Sequence, residues 1–291
     1  MRAPRQRTGT IDLFLTPHWT VVVLASLAGL CVGSFLNVVI DRLPVMLHRQ
    51  WRAQALETLN IEPPAAPTFN LALPRSHCPD CGAAVKVAHN VPVVSWILLR
   101  GRCANCGAAI SARLPAVELA GGLLAVAVIG VWGFQWTALA YYVFLMMLLA
   151  AAFIDADTTV LPDQLTLPLL WLGLLAAAAF SATPTLFDAV TGAVAGYLSL
   201  WLVYWVFKLV TRREGMGYGD FKLMAAIGAW LGWQSTLAVI LVAAVLGLAY
   251  ATARILRQTA TRTTPIPFGP FLAIAGTAVL FLSARFGLEV L

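Results

Sequence analysis

Asp220 closes the run Gly217-Tyr218-Gly219-Asp220, and the glycines around it let the backbone turn tightly and leave room for a substrate strand to lie close. The run falls between two long apolar stretches, so it sets an ionisable carboxylate at the end of a membrane helix. Charge there is costly unless it is used. A second apolar stretch also ends in acid, at Ile154-Asp155-Ala156-Asp157, and is followed by Leu161-Pro162-Asp163. Asp155, Asp157 and Asp163 are therefore candidates for one carboxylate, and Asp220 is the other. Two carboxylates held close cannot both ionise easily. The charged member can then activate water while the neutral one protonates a leaving amine. That is aspartic-protease chemistry. Lys222 is placed to tune such a pair, to hold substrate, or simply to snorkel at the interface. Asp188 reads as a helix cap on the far side.

Cys78-Pro79-Asp80-Cys81 and Cys103-Ala104-Asn105-Cys106 form two Cys-x-x-Cys knuckles, each followed by glycine (Gly82, Gly107). Their spacing fits a four-thiolate zinc ribbon, which is unfolded without its metal. Four thiolates complete a tetrahedron and leave no open position, so the zinc is expected to be structural. His77 and His89 then read as ribbon surface. Cys31 lies in an apolar run and reads as a small buried side chain.

The elements that position these groups follow from composition. The chain has 291 residues, of which 60% are hydrophobic and 11% charged, with a mean hydropathy of +0.83. A soluble domain is excluded. Apolar runs fall near 19–40, 116–134, 137–154, 165–182, 187–210, 235–254 and 266–287, against the roughly 20 residues needed to span. The shorter run 221–233 makes an eighth, either a thin span or a re-entrant piece. The expected fold is an all-α polytopic membrane protein of about eight transmembrane helices, with a small cytosolic zinc-ribbon insertion between the first two.

The formal charge of +6 is explained by basic loops rather than by nucleic acid. Residues 41–115 carry Arg42, Arg49, Arg52, Arg75, Lys86, Arg100, Arg102 and Arg113, which outweigh Arg2, Arg5 and Arg7 and place this loop in the cytosol. Counting crossings from there brings Asp155 and Asp220 to the same cytosolic face. Eight spans also put Arg254, Arg257 and Arg262 inside. Within the loop, Glu62–Pro67 reads as an extended connector, separating a short amphipathic piece around Met46–Leu59 from the cysteines. The basic start Met1–Arg7 leads into a retained first helix rather than a cleaved signal.

The ordered set Gly33-Ser34-Phe35-Leu36-Asn37-Val38-Val39-Ile40-Asp41-Arg42-Leu43-Pro44, the paired knuckles, Ile154-Asp155 with Leu161-Pro162-Asp163, and Glu214-Gly215-Met216-Gly217-Tyr218-Gly219-Asp220-Phe221-Lys222 resembles the bifunctional type IV prepilin peptidases. These are membrane aspartic proteases that also N-methylate their product and serve type IV pili and type II secretion. The resemblance runs from about residue 30 to 270. It implies Asp155 and Asp220 as the catalytic pair, with Gly217, Gly219, Lys222 and Asp163 in support. It implies S-adenosylmethionine as methyl donor, with Gly101 matching a glycine important for methylation, and Cys78, Cys81, Cys103 and Cys106 as zinc ligands. The implied organisation is an N-terminal helix (1–40), a cytosolic zinc-binding domain linked to methylation (41–115) and a membrane peptidase domain (116–291). Prepilins and pseudopilins would be the substrates, at the cytosolic side of the bacterial inner membrane, with lipid around the helices and no nucleic acid. A homodimer is compatible with the sequence. Asp41, His89 and Leu114 depart from the family pattern without touching the acids.

Three rival readings predict different behaviour. A transporter relaying protons through Asp155 and Asp220 would process no prepilin and leaves the cysteine loop without a purpose. An assembly scaffold would need the cysteines and not the acids. A peptidase without methyltransferase activity would leave its product unmodified.

Overall fold

A backbone crossing lipid must satisfy its own N–H and C=O groups, and the Ala/Leu-rich runs do so as helices. The computed structural model describes residues 19–62, 67–180, 184–213, 215–259 and 266–286. Among them the helices are α1 (Trp19–Thr58), α2 (Val94–Leu98), α3 (Arg113–Trp132), α4 (Trp136–Thr158), α5 (Asp163–Ala179), α6 (Leu186–Thr211), α7 (Tyr218–Leu231), α8 (Trp233–Leu256) and α9 (Gly269–Phe286). Strand pairing among the described residues is limited to two isolated antiparallel bridges, both in the cysteine region. Five helices, α1, α3, α4, α6 and α8, are long and apolar enough to cross a membrane, and α5 and α9 are shorter apolar helices. The 14-residue α7 completes the apolar set. The protein is an all-α polytopic membrane protein.

The piece expected around Met46–Leu59 is not separate. It is the second half of α1, which runs for 40 residues through Pro44. Proline removes one ladder bond, but Met, Leu, Arg, Gln, Ala and Glu beyond it are good helix formers and carry the helix on. The basic N-terminal tail, residues 63–66 of the expected connector, Glu214 and Arg262 lie outside the described residues.

The chain packs as two units, one of residues 1–37 with 74–142 and the other of 38–73 with 143–291. In the first, α1 and α3 meet along a seam of small residues. A Cβ added to Gly29 would lie 2.6 Å from the Gly121 carbonyl, and one on Gly33 would lie 2.7 Å from the Glu118 Cα. Small residues allow this close backbone approach, which replaces the hydrophobic drive that lipid removes. Cys31, expected to be buried, is exposed on α1, because the glycines, and not the cysteine, face α3.

In the second unit α7 is the core. Asp220 through Trp230 are all buried except Lys222, and the helix is packed by α5, α6, α8 and α9. Gly192 of α6 and Gly228 of α7 face each other so closely that a Cβ on either would strike the other's carbonyl. Trp230 stacks on Phe144 of α4 with ring centroids 5.0 Å apart, and its indole N–H donates to the Leu169 carbonyl of α5 at 2.8 Å. Surrounded in this way, a helix about 21 Å long has no lipid thickness to match. Phe221 belongs to this core and not to an interface: it is fully buried against Tyr197 and Tyr204. The lower half of α1 holds residues 69–71, with the Arg49 guanidinium 4.3 Å from the Phe69 ring centroid and Arg42 donating to the Asn70 carbonyl at 2.9 Å.

Candidate active site and metal centre

Three helix ends meet in the second unit. α4 finishes with Asp155 in its last turn, α7 begins with Asp220 in its first, and α9 begins at Gly269. The Gly269 N–H donates to Asp155 Oδ2 at 2.8 Å. The Gly217 N–H donates to Asp220 Oδ2 at 3.2 Å, so Asp220 reaches back to cap its own helix. Each carboxylate therefore sits at a helix N-terminus, where unpaired N–H groups and the helix dipole favour negative charge. Asp155 is 5% exposed and Asp220 6%, and α9, whose first N–H holds Asp155, packs on α7, which carries Asp220. Asp220 Oδ1 is buried with no hydrogen-bond partner among the described residues. One oxygen of this acid is thus held by backbone and the other is left for a water or a substrate group.

The other acids separate by burial and pairing. Asp157 is exposed. Asp163 opens α5 and is bound through both oxygens by Lys222 of α7, at 2.7 and 2.8 Å. Just before it, Leu161 packs on Gly219: a Cβ there would lie 2.7 Å from that of Leu161. The loop leaving Asp155 is therefore clasped to α7 at two points that flank Asp220. Gly217, the residue before α7, is extended, at φ −79° and ψ 149°. Asp188 lies in the first turn of α6, where the cap is Thr185: its hydroxyl oxygen accepts the Asp188 N–H at 3.1 Å and its O–H donates to the Asp188 carboxylate, so the acid supports the cap and does not form it.

In the first unit the two knuckles are built alike. The Cys78 N–H donates to the Ala83 carbonyl at 2.9 Å and the Gly82 N–H to the Cys78 carbonyl at 2.9 Å; Cys103 and Gly107 repeat both bonds at 2.8 and 2.9 Å. Gly82 and Gly107 have φ of 68° and 75°, the left-handed region that turns each knuckle back. The four Sγ atoms of Cys78, Cys81, Cys103 and Cys106 lie within 4.8 Å of one another, a cluster able to hold a metal ion. The Cys78 and Cys106 sulfurs are 3.8 Å apart. The backbone N–H groups of Cys106 and Asn105 point at Cys103 and draw its thiol down to about 6. These groups favour the thiolate that a metal needs. His77 is exposed and its Nδ1 lies 3.0 Å from the Arg75 carbonyl oxygen, which fits a surface role.

The chain matches two family models, the bacterial peptidase A24 N-terminal domain over residues 27–132 and the type IV leader peptidase family over residues 142–252. It is 52% identical over 269 residues to the prepilin leader peptidase/N-methyltransferase of Stutzerimonas stutzeri, covering 92% of this chain and 93% of that protein. The chain belongs to the type IV leader peptidase family. The like-named protein of Pseudomonas aeruginosa is 51% identical, covering 92% of each chain. That of Aeromonas hydrophila is 50% identical, covering 90% of this chain and 91% of its own. No solved structure matches the chain.

Two residues of the sites went unremarked in the sequence. Gly269 cradles Asp155: a Cβ there would meet Oδ2 at 2.8 Å and Cγ at 3.2 Å. Its signal is Pro267-Phe268-Gly269-Pro270 at the start of the last apolar run. Trp96 lies over Gly101, which has a φ of 65° and whose added Cβ would lie 2.9 Å from the indole. The indole N–H is anchored on the Ile110 carbonyl at 3.2 Å.

Proposed function

We propose that this protein cleaves the leader peptide of type IV prepilins and pseudopilins at the cytosolic face of the bacterial inner membrane and then N-methylates the new terminus. The observation that supports the reading is that Asp155 and Asp220, remote in the chain, are both buried at helix N-termini, on segments joined by the Leu161–Gly219 contact and by the packing of α9 on α7. Sharing one proton, the pair works as base and acid together. The ionised member removes a proton from water, whose oxygen attacks the scissile carbonyl carbon. The protonated member then gives its proton to the departing amine nitrogen. On Asp220 the proton transfer falls to Oδ1, because Oδ2, which accepts the Gly217 N–H, is poorly placed to move protons. The Asp163–Lys222 clasp and Gly219 fix the loop and helix that carry the two acids.

The four cysteines would hold zinc. A tetrahedral site with Zn–S of about 2.3 Å separates its sulfurs by about 3.8 Å, the spacing found between Cys78 and Cys106. Zinc there would fix the knuckles and so the α2 segment, with its Trp96–Gly101 contact, that lies between them. Gly101 supports methyl transfer by admitting Trp96, and S-adenosylmethionine is the methyl-donating substrate.

The test is processing of a prepilin by purified Asp155→Asn and Asp220→Asn variants. Each is expected to lose about 10²–10⁴-fold in cleavage rate, the usual worth of a positioned acid or base. Folded variants that cleave like wild type would exclude the pair.

A further inference from the structure

Asn37 carries a buried polar atom that the fold leaves unanswered. The residue is 5% exposed. Its Nδ2 donates to the Leu114 carbonyl at 3.0 Å, while its Oδ1 is buried without a hydrogen-bond partner among the described residues. An acceptor left this way is costly, so it holds either an internal water or a ligand donor.

The register of α1 against α3 shows what lies beside it. Gly29 faces Gly121, Gly33 faces Glu118 and Asn37 faces Leu114, one pair per helical turn and in opposite chain directions. Glu118 is therefore one turn from the Asn37 contact, on the same seam. It is the sole acid in α3, and an acid inside a membrane helix calls for a use. Its Oε2 accepts the Val93 N–H at 2.7 Å. That residue has a φ of 62°, a conformation β-branched side chains avoid. Glu118 thus pins the entrance to α2, which carries Trp96.

We infer that Asn37 and Glu118 form the amine-binding side of the methyl-transfer site and receive the new α-amino group of the cleaved substrate. The assignment rests on the methyltransferase reading above. A terminal ammonium has only donors to offer, and Asn37 Oδ1 and the Glu118 carboxylate are a neutral and a charged acceptor on the same seam, with the Arg113 guanidinium the cation at that end of α3. The ammonium must lose a proton before its nitrogen can attack. Glu118 takes that proton. The freed lone pair then forms the N–C bond to the methyl carbon of S-adenosylmethionine as the C–S bond breaks, and its electron pair stays on sulfur as a neutral thioether. The product is a methylated ammonium, and the proton on Glu118 returns to solvent.

The experiment incubates purified full-length enzyme with prepilin and labelled S-adenosylmethionine, and reads cleavage and methylation separately by mass spectrometry of the product terminus. Asn37→Leu and Glu118→Gln should cleave within about twofold of wild type, which reports a folded enzyme, and should methylate about 10²-fold more slowly. Raising the pH above the ordinary α-amino value of about 7.7–8.0 should restore methylation in Glu118→Gln, since the amine then needs no base. Asn37→Asp, which keeps an acceptor in place, should retain methylation where Asn37→Leu loses it. Wild-type methylation in Asn37→Leu would mean that Oδ1 holds an ordinary internal water and would overturn the proposal. So would a loss in Glu118→Gln that high pH does not relieve, or equal losses in both Asn37 variants, since either marks a packing role. If wild type itself transfers no methyl group, the methyltransferase reading fails and the assignment falls with it.

Discussion

Gly269→Ala tests the geometry of the acid pair with a single methyl group. Gly269 shows no positive φ, so alanine is conformationally acceptable and only the contact matters. The new Cβ would lie 2.8 Å from Asp155 Oδ2 and 3.2 Å from its Cγ, and the first distance is too short for van der Waals contact. The carboxylate or the start of α9 must move by several tenths of an ångström. That motion weakens the Gly269 N–H bond to Oδ2, now 2.8 Å. A hydrogen bond to a charged group is worth about 1.5–3 kcal/mol, which at about 1.4 kcal/mol per decade is a rate loss of roughly 10- to 10²-fold. Misplacement of a catalytic group by about 1 Å costs a similar factor. The assay is single-turnover cleavage of prepilin, with methylation of a pre-cleaved pilin as the internal control. Cleavage should fall by that factor with the substrate KM little changed, and methylation of the pre-cleaved substrate should persist. Wild-type cleavage in folded Gly269→Ala would refute the reasoning, because it would show that the position of Asp155 is not set by this cradle.

Four further outcomes follow from the same contacts. Chelation of the metal, or Cys78→Ser, should unfold the knuckles and abolish methylation, followed by metal content and by transfer to pre-cleaved pilin. Lys222→Ala should cost little stability, since half-exposed ion pairs contribute about 0–1 kcal/mol; its effect should appear as a several-fold fall in kcat, restored in part by the exchanged pair Asp163→Lys with Lys222→Asp. Gly228→Val drives a side chain into the Gly192 carbonyl and should cut the yield of folded protein in detergent, measured by size-exclusion chromatography. Gly101→Ala combines a left-handed φ with a clash on Trp96 and should slow methylation while leaving cleavage intact.

The helix set was legible because apolar runs of spanning length have few alternatives, and the cysteine cluster because Cys-x-x-Cys pairs at this spacing have only a few chemical meanings. The short helix α7 was ambiguous from length alone. Its surroundings explain its shortness: a helix enclosed by α5, α6, α8 and α9 needs no lipid match, and enclosure is a property of packing that the run 221–233 does not carry. The sequence left Asp155, Asp157 and Asp163 as equals on chemistry, and only the resemblance preferred the first. Burial separates them. Two residues, about 200° of helix, turn Asp155 inward and Asp157 outward, and Lys222, 59 positions from Asp163, neutralises the third. Gly269 escaped notice because its partner is 114 residues away, and a glycine before a proline reads as a turn until the group it admits is seen. Asn37 escaped for a related reason. An amide in an apolar run suggests only a local bond, and the burial of Oδ1 follows only once α3 is packed against it.

The order of the two reactions follows from the nitrogen they share. Before cleavage it is an amide, its lone pair delocalised into the carbonyl, and it cannot attack a methyl carbon. After cleavage it is an amine, but one that carries a proton near neutral pH. Hydrolysis therefore creates the nucleophile and protonates it at the same time, since the acid of the pair delivers a proton to that atom. Methylation must remove a proton that proteolysis has just supplied, so a bifunctional enzyme needs acidic groups in two places with opposite tasks. In the proposed mechanism Asp155 and Asp220, at helix N-termini in one unit, meet the first need. The lone acid of α3, one helical turn from the Asn37 contact in the other unit, has the chemistry proposed for the second.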